Sequence, residues 1–179
     1  MENHTHLVVM AGGIGSRFWP MSTPERPKQF VDVLGTGRTF IQMTLDRFKG
    51  IVPAENVWVV TSHNYRDIVS EQLPEVPVNN ILLEPCRRNT APCIAMASMH
   101  IHAINPEANI VVAPCDHLIL KEGEFIEAIN KGLEFVAQSP QLLTLGIKPN
   151  RPETGYGYIQ IAEEQGENFY EVKTFVEKP

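Results

Sequence analysis

No apolar run in this 179-residue chain approaches the ~20 residues that a membrane-spanning helix needs. The opening MENHTHLVVMAGG also lacks the basic start and long apolar core of a secretory leader, so the expected compartment is the cytoplasm. Basic charge is scarce: 15 Lys and Arg stand against 21 Asp and Glu, for a net charge of −6. That balance argues against nucleic acid or an anionic membrane as a partner, while leaving room for a small cluster of cations around a phosphate ligand. Cysteine is rare as well, and the spacing of Cys86, Cys93 and Cys115 fits neither a CxxC metal pattern nor a disulfide framework. They read as reduced packing thiols. G-x-S-x-G and HExxH are both missing, and no nucleophile–base constellation is legible, so any chemistry has to run through positioning and charge stabilisation.

What is present has the length and composition of one globular domain, 43% hydrophobic and 20% charged. HLVVMA (6–11), NVWVVTS (56–62), NILLEP (80–85), NIVVAP (109–114) and LLTLGI (142–147) read as short buried strands. Helices are predicted between them. One is opened by a Thr39–Gln42 capping box and closed by Gly50, a second runs from about His63 to Leu73, and a third over about 91–104 has Thr90 as N-cap. A fourth covers 122–138. This alternation predicts an α/β fold with a mostly parallel sheet between two helical layers. From about residue 149 the pattern changes to GYIQIAE and FYEVKTFVEK, a small antiparallel excursion.

Three unusual loops follow predicted strands, at the carboxyl edge where open α/β sheets bind ligands. AGGIGSRFWPMSTPERPKQF (11–30) matches neither GxGxxG nor GxxxxGK[ST], yet its glycines let backbone N–H groups approach an anion. Arg17 and Lys28 add charge that can neutralise a polyphosphate, and Pro20, Pro24 and Pro27 oppose an early helix. In EPCRRNTAP, Asn89 and Thr90 can cap a helix whose N-terminus also offers N–H groups to a ligand, and Arg87 and Arg88 read as a solvated pair. In APCDH, Asp116 is placed either to bind Mg²⁺ bridging phosphate oxygens or to act as a turn aspartate. His117 is a second ligand or a support for the loop, and His100 and His102, two apart on a helix, read as structural or exposed.

AGGIGSRFWPMSTPERPKQF resembles the signature of the sugar-nucleotide pyrophosphorylases. EPCRRNTAPCIAMA, APCDH, ETGYGYI and FVEKP, in that order, resemble its mannose-1-phosphate guanylyltransferase branch. The resemblance runs from His6 to Pro179. It implies a Rossmann-like, GT-A-like three-layer α/β/α nucleotidyltransferase domain over 1–179, divided into a nucleotide-binding core (1–148) and the start of a sugar-binding part (149–179). The implied reaction joins GTP and mannose 1-phosphate into GDP-mannose and pyrophosphate, with Mg²⁺ as cofactor and no covalent intermediate. Carried over by motif, Ala11, Gly12, Gly13, Gly15 and Arg17 contact the nucleotide, and Lys28 stabilises charge at the α-phosphate. Glu84, Pro85, Asn89 and Thr90 form the guanine pocket, and Asp116 binds the metal. Gly146, Gly157 and Glu177 meet the sugar, Lys178 its phosphate, and Tyr156 shapes the pocket.

The family's fold continues past FVEKP and supplies a second metal-binding aspartate there. The chain is therefore expected to be an N-terminal fragment that binds GTP weakly and turns over poorly. Homo-oligomerisation of the full-length enzyme and a C-terminal isomerase domain stay open. Three other readings compete: a pyrophosphorylase for another sugar or base, a non-catalytic nucleotide-binding module, and a Rossmann dehydrogenase. Against the last, the glycine pattern is wrong and TSHN puts no ribose-binding acid after the second strand.

Overall fold

The computed structural model describes residues 4–13, 18–86, 88–166 and 168–178. Two compact units divide the chain, Met1–Gln141 and Leu142–Pro179. In the first, a parallel four-stranded sheet has the order β3-β2-β1-β4 and is built from β1 (Thr5–Met10), β2 (Val57–Ser62), β3 (Ile81–Glu84) and β4 (Asn109–Pro114). The helices between them are α1 (Phe40–Phe48), α2 (Arg66–Gln72), α3 (Thr90–Ile104) and α4 (Glu122–Gln138).

The central strands are mostly apolar because both faces of the sheet are covered. Leu7, Val9, Val57, Val59 and Ile81 pack on one side with Ile41, Leu45 and Phe48 of α1, Val69 and Leu73 of α2, and Ile129 of α4. Val8, Trp58, Val60 and Leu82 face the other side, against Cys93, Ala97 and Ile101 of α3. Side chains alternate across a strand, so consecutive apolar residues serve two cores. The capping box that starts α1 is present, with the Thr39 N–H donating to Gln42 Oε1 at 3.1 Å, and Gly50 ends the turn at φ 90°.

The structure corrects two expectations. The third helix starts one residue early, at Thr90, with Asn89 as N-cap at φ 66°. Asparagine tolerates positive φ better than most residues, so the turn into the helix is made there and Thr90 joins the first turn. LLTLGI forms no strand: residues 141–149 have no regular structure, and Leu142, Leu143, Leu145 and Ile147 are all exposed. A strand exists only where a neighbour takes its backbone hydrogen bonds, and among the described residues none pairs with this segment.

The second unit holds the antiparallel excursion, β5 (Tyr158–Gly166) paired with β6 (Phe169–Val176) and interrupted by register shifts. Gly157 lies just before this ribbon, where an added Cβ would come 2.9 Å from the Val176 carbonyl oxygen.

Candidate active site

The order β3-β2-β1-β4 reverses between β1 and β4, because the chain winds outward from β1 to β3 and then returns to the other side. A crevice for ligands opens at such a switch point, beyond the carboxyl ends of the two strands. Met10 is in register with Pro114, so Ala11 and Cys115 leave the sheet side by side. The first and fourth loops are thereby neighbours.

Asp116 and Lys28 meet there. Lys28 sits on a single 3-10 turn, Lys28–Phe30, and its Nζ lies 2.5 Å from Asp116 Oδ2, with side-chain exposures of 20% and 32%. The same ammonium stands 5.1 Å from the centre of the Phe18 ring, a cation–π contact. His117 Nε2 lies 3.8 Å from the other carboxylate oxygen of Asp116. Apart from that short turn, the described stretch from Trp19 to Arg38 is turns and irregular backbone, in keeping with its prolines. It is tied down by hydrogen bonds from Tyr65 Oη to the Pro24 carbonyl (2.8 Å) and from Gln72 Nε2 to the Phe30 carbonyl (3.0 Å).

The glycine loop starts from a fully buried Ala11, whose N–H donates to the Val60 carbonyl at 2.8 Å. Gly12 is half-buried, Gly13 is exposed, and a Cβ at Gly12 would stand 3.0 Å from Glu84 Oε2. The close approach brings the ends of β1 and β3 within reach of one ligand. Pro85, Asn89 and Thr90 are exposed beyond Glu84. Asn89 keeps a backbone conformation that costs on the order of 1–3 kcal/mol, the kind of outlier that concentrates at functional loops. Gly15, Arg17 and Arg87 lie outside the described residues.

Cys93 and Cys115 are buried packing residues, whereas Cys86, expected to be a third, is exposed, because it lies in the loop beyond the end of β3. Burial pushes the Cys93 thiol up to about 11, with Glu84 adding to the shift. Burial raises the Cys115 thiol further still, helped by the Asp116 carboxylate, and Cys86 is exposed. His100 and His102 are exposed on α3, away from any cluster.

Two residues absent from the sequence-derived site are part of its frame. Gln29 is 1% exposed and donates through Nε2 to the carbonyls of Ala11 (3.2 Å) and Gly13 (2.7 Å). Thr61, wholly buried in β2, donates through Oγ1 to the Ala11 carbonyl at 3.0 Å. Their signal was faint: a polar residue between Lys28 and Phe30, and one near the end of the apolar run VWVVTS.

Among the described residues no three His, Cys, Asp or Glu side chains converge on a metal position. The donor set still fits Mg²⁺ in its usual nucleotide-site form, where one or two carboxylates are supplemented by substrate phosphates and water. Asp116, one-third exposed at the switch point, is such a carboxylate. Gly146, Gly157, Glu177 and Lys178 are exposed in the second unit, where the Lys178 N–H donates to Glu177 Oε1 at 3.2 Å.

A parallel sheet with helices on both faces, and a glycine loop, a lysine and a carboxylate at its switch point, define an open α/β protein with a ligand crevice of the kind that receives phosphorylated ligands. Comparison narrows the class. Residues 6–179 match the family model described as Nucleotidyl transferase, and the chain belongs to that family. It is 43% identical to mannose-1-phosphate guanylyltransferase 2 of Escherichia coli O157:H7 over 183 residues, covering 96% of this chain and 37% of that protein. It is likewise 43% identical to mannose-1-phosphate guanylyltransferase of Escherichia coli K12, covering 99% of this chain and 38% of that protein. A crystal structure described as mannose-1-phosphate geranyltransferase from Thermus thermophilus superposes with a TM-score of 0.86 at 34% identity, covering 98% of this chain and 50% of that one. The chain thus spans less than two-fifths of the length of these curated relatives.

Proposed function

We propose that this chain carries the nucleotide site of an enzyme that makes GDP-mannose and pyrophosphate from GTP and mannose 1-phosphate. The observation that carries the reading is the Lys28–Asp116 pair at the β1/β4 switch point, beside a glycine loop. A phosphate oxygen of the sugar phosphate attacks the α-phosphorus of GTP. The bond from that phosphorus to the bridging oxygen breaks, and pyrophosphate leaves with the electron pair. Nothing in such a displacement needs a protein nucleophile, which agrees with buried thiols whose pKa values are raised.

In this reading the backbone at Gly12 and Gly13, with Gly15 and Arg17, receives the nucleotide, and Ala11, whose N–H and carbonyl are both engaged inside the fold, anchors the start of the loop instead of touching the ligand. Lys28 moves its charge from Asp116 to the α-phosphate as negative charge builds there. Asp116, together with the substrate phosphates, would hold Mg²⁺, which would supply further neutralisation of phosphate charge. Glu84, with Pro85, Asn89 and Thr90, faces the base: a carboxylate suits the N–H donors on guanine's pairing edge and is mismatched with the N1 acceptor of adenine. Glu177, Gly146 and Gly157 take the sugar and Lys178 its phosphate.

A thermal-shift panel of nucleotides with Mg²⁺ tests the reading. At a hundredfold excess over Kd, a ligand that binds only the folded state adds about 2.7 kcal/mol, a rise of about 5–10 °C for a domain of this size. GTP and GDP-mannose are expected to give the largest shifts, and a preference for dTTP, UTP or NAD overturns the assignment. Released pyrophosphate, measured with GTP and mannose 1-phosphate, then separates an enzyme from a non-catalytic nucleotide-binding module.

A further inference from the structure

We propose that Gln29 and Thr61 are positioning residues that set the glycine loop for the polyphosphate of a nucleoside triphosphate, an inference that rests on the nucleotide reading above. The loop's first peptide is held from beneath by two donors. Gln29 Nε2 and Thr61 Oγ1 both reach the Ala11 carbonyl, at 3.2 and 3.0 Å, and Nε2 uses its second hydrogen on the Gly13 carbonyl at 2.7 Å. The described peptides here are trans, so the N–H of Gly12 points opposite to the Ala11 carbonyl, away from both side chains.

A Gly-Gly segment is the part of a chain least able to hold one conformation unaided. Pinning the carbonyls on either side of Gly12 removes that freedom before a ligand arrives, and the ligand binds tighter because less ordering remains to be done. Both clamping side chains are essentially inaccessible, at 1% and 0% exposure, so they act through the loop and not by touching the nucleotide. They also come from different places, one from the turn that carries Lys28 and the other from the middle of the sheet. The clamp therefore ties the glycine loop, Lys28 and β2 into a single frame.

The test compares ligands with and without phosphates. Gln29→Met keeps the volume and loses both donors, Thr61→Val keeps the shape and loses the hydroxyl, and Thr61→Ser returns it. Binding of GTP and pyrophosphate by calorimetry, and of guanosine by NMR titration, is measured well below each variant's midpoint. Gln29→Met is expected to weaken GTP and pyrophosphate about tenfold and Thr61→Val about threefold, from the net value of one or two hydrogen bonds, with guanosine unchanged. Thr61→Ser is expected to recover the loss. Equal weakening of guanosine and GTP, or a lowered melting point with unchanged GTP affinity, overturns the proposal by making the clamp merely structural. Should Gln29→Met fail to fold, the Thr61 pair carries the same test. A wild-type chain that binds neither GTP nor pyrophosphate refutes the nucleotide reading itself, and the proposal falls with it.

Discussion

Removing the charge of Lys28 should make Asp116 a better metal ligand in the absence of nucleotide. The ammonium lies 2.5 Å from the carboxylate, which at an effective dielectric of 20 is a gross attraction of about 7 kcal/mol. Both side chains are partly solvated, at 20% and 32% exposure, so desolvation and lost rotamer freedom cancel most of this and about 1 kcal/mol remains. A divalent cation approaching Asp116 has to displace that ammonium. In Lys28→Met the stem stays and the competitor is gone, so intrinsic Mn²⁺ affinity should rise about fivefold, the equivalent of about 1 kcal/mol. Unfolding stability should fall by a similar ~1 kcal/mol, or about 2–4 °C for a chain of this length. Free Mn²⁺ followed by electron paramagnetic resonance reports the first effect and thermal denaturation the second. If Lys28→Met leaves Mn²⁺ binding unchanged while Asp116→Asn removes it, the lysine does not compete and the reasoning is refuted. If Asp116→Asn leaves Mn²⁺ binding intact, Asp116 is not a ligand at all.

Three further outcomes follow from groups elsewhere in the chain. His6 is buried and accepts a hydrogen bond from Trp58 Nε1 at 3.2 Å. Burial, with His4 nearby, lowers its pKa below the ordinary 6.5. The unfolded chain then binds the proton more readily, so stability present above pH 6.5 is lost as pH falls toward the lower folded value. Urea unfolding at about pH 7.5 and pH 5 should show this loss in the wild type and a flatter profile in His6→Gln. Among the thiols, Cys86 alone should react with Ellman's reagent near pH 8 in the native state, because burial holds Cys93 at about 11 and Cys115 higher. One reactive thiol per chain is the expected count, and two or more would contradict the packing described. Gly157→Ala sets a methyl group against the Val176 carbonyl oxygen, where the unrelaxed distance is 2.9 Å. It should cost about 1–3 kcal/mol of local stability, read as faster amide exchange in residues 158–176.

Much of the fold was legible because it rests on local signals. Asn109–Pro114 and Glu122–Gln138 form over the predicted residues, and the β5/β6 ribbon follows the change of pattern after residue 149. Continuous apolar runs cut by glycine and proline leave few alternatives to buried parallel strands. LLTLGI misled for the same reason. Its composition suits a buried strand, but a strand is a relation between two segments, and no described segment takes its hydrogen bonds. The Asn89 cap was missed by one residue because Asn and Thr are both good N-caps, and the choice turned on a positive φ that spacing does not reveal.

The candidate site divides in a similar way. Residue types in the loops after the strands already singled out the glycines of the first loop, Lys28 and Asp116, and the family resemblance added Glu84; loops at the carboxyl edge of an α/β sheet gather in one place whatever their sequence separation. That Lys28 is paired with Asp116, and that Gly12 runs against the Glu84 carboxylate, depended on the order β3-β2-β1-β4 and on the register of Met10 with Pro114. The clamp on the glycine loop depended on tertiary structure still more. Gln29 and Thr61 become neighbours only when a turn and a strand separated by about thirty residues enclose the same carbonyl. By itself the sequence determined the alternation of elements, the poverty of basic surface and the identity of the charged residues. Packing decided which charges face each other and which carbonyls are tied down, because hydrogen bonds and ion pairs are set by distance in the folded chain and not by spacing along it.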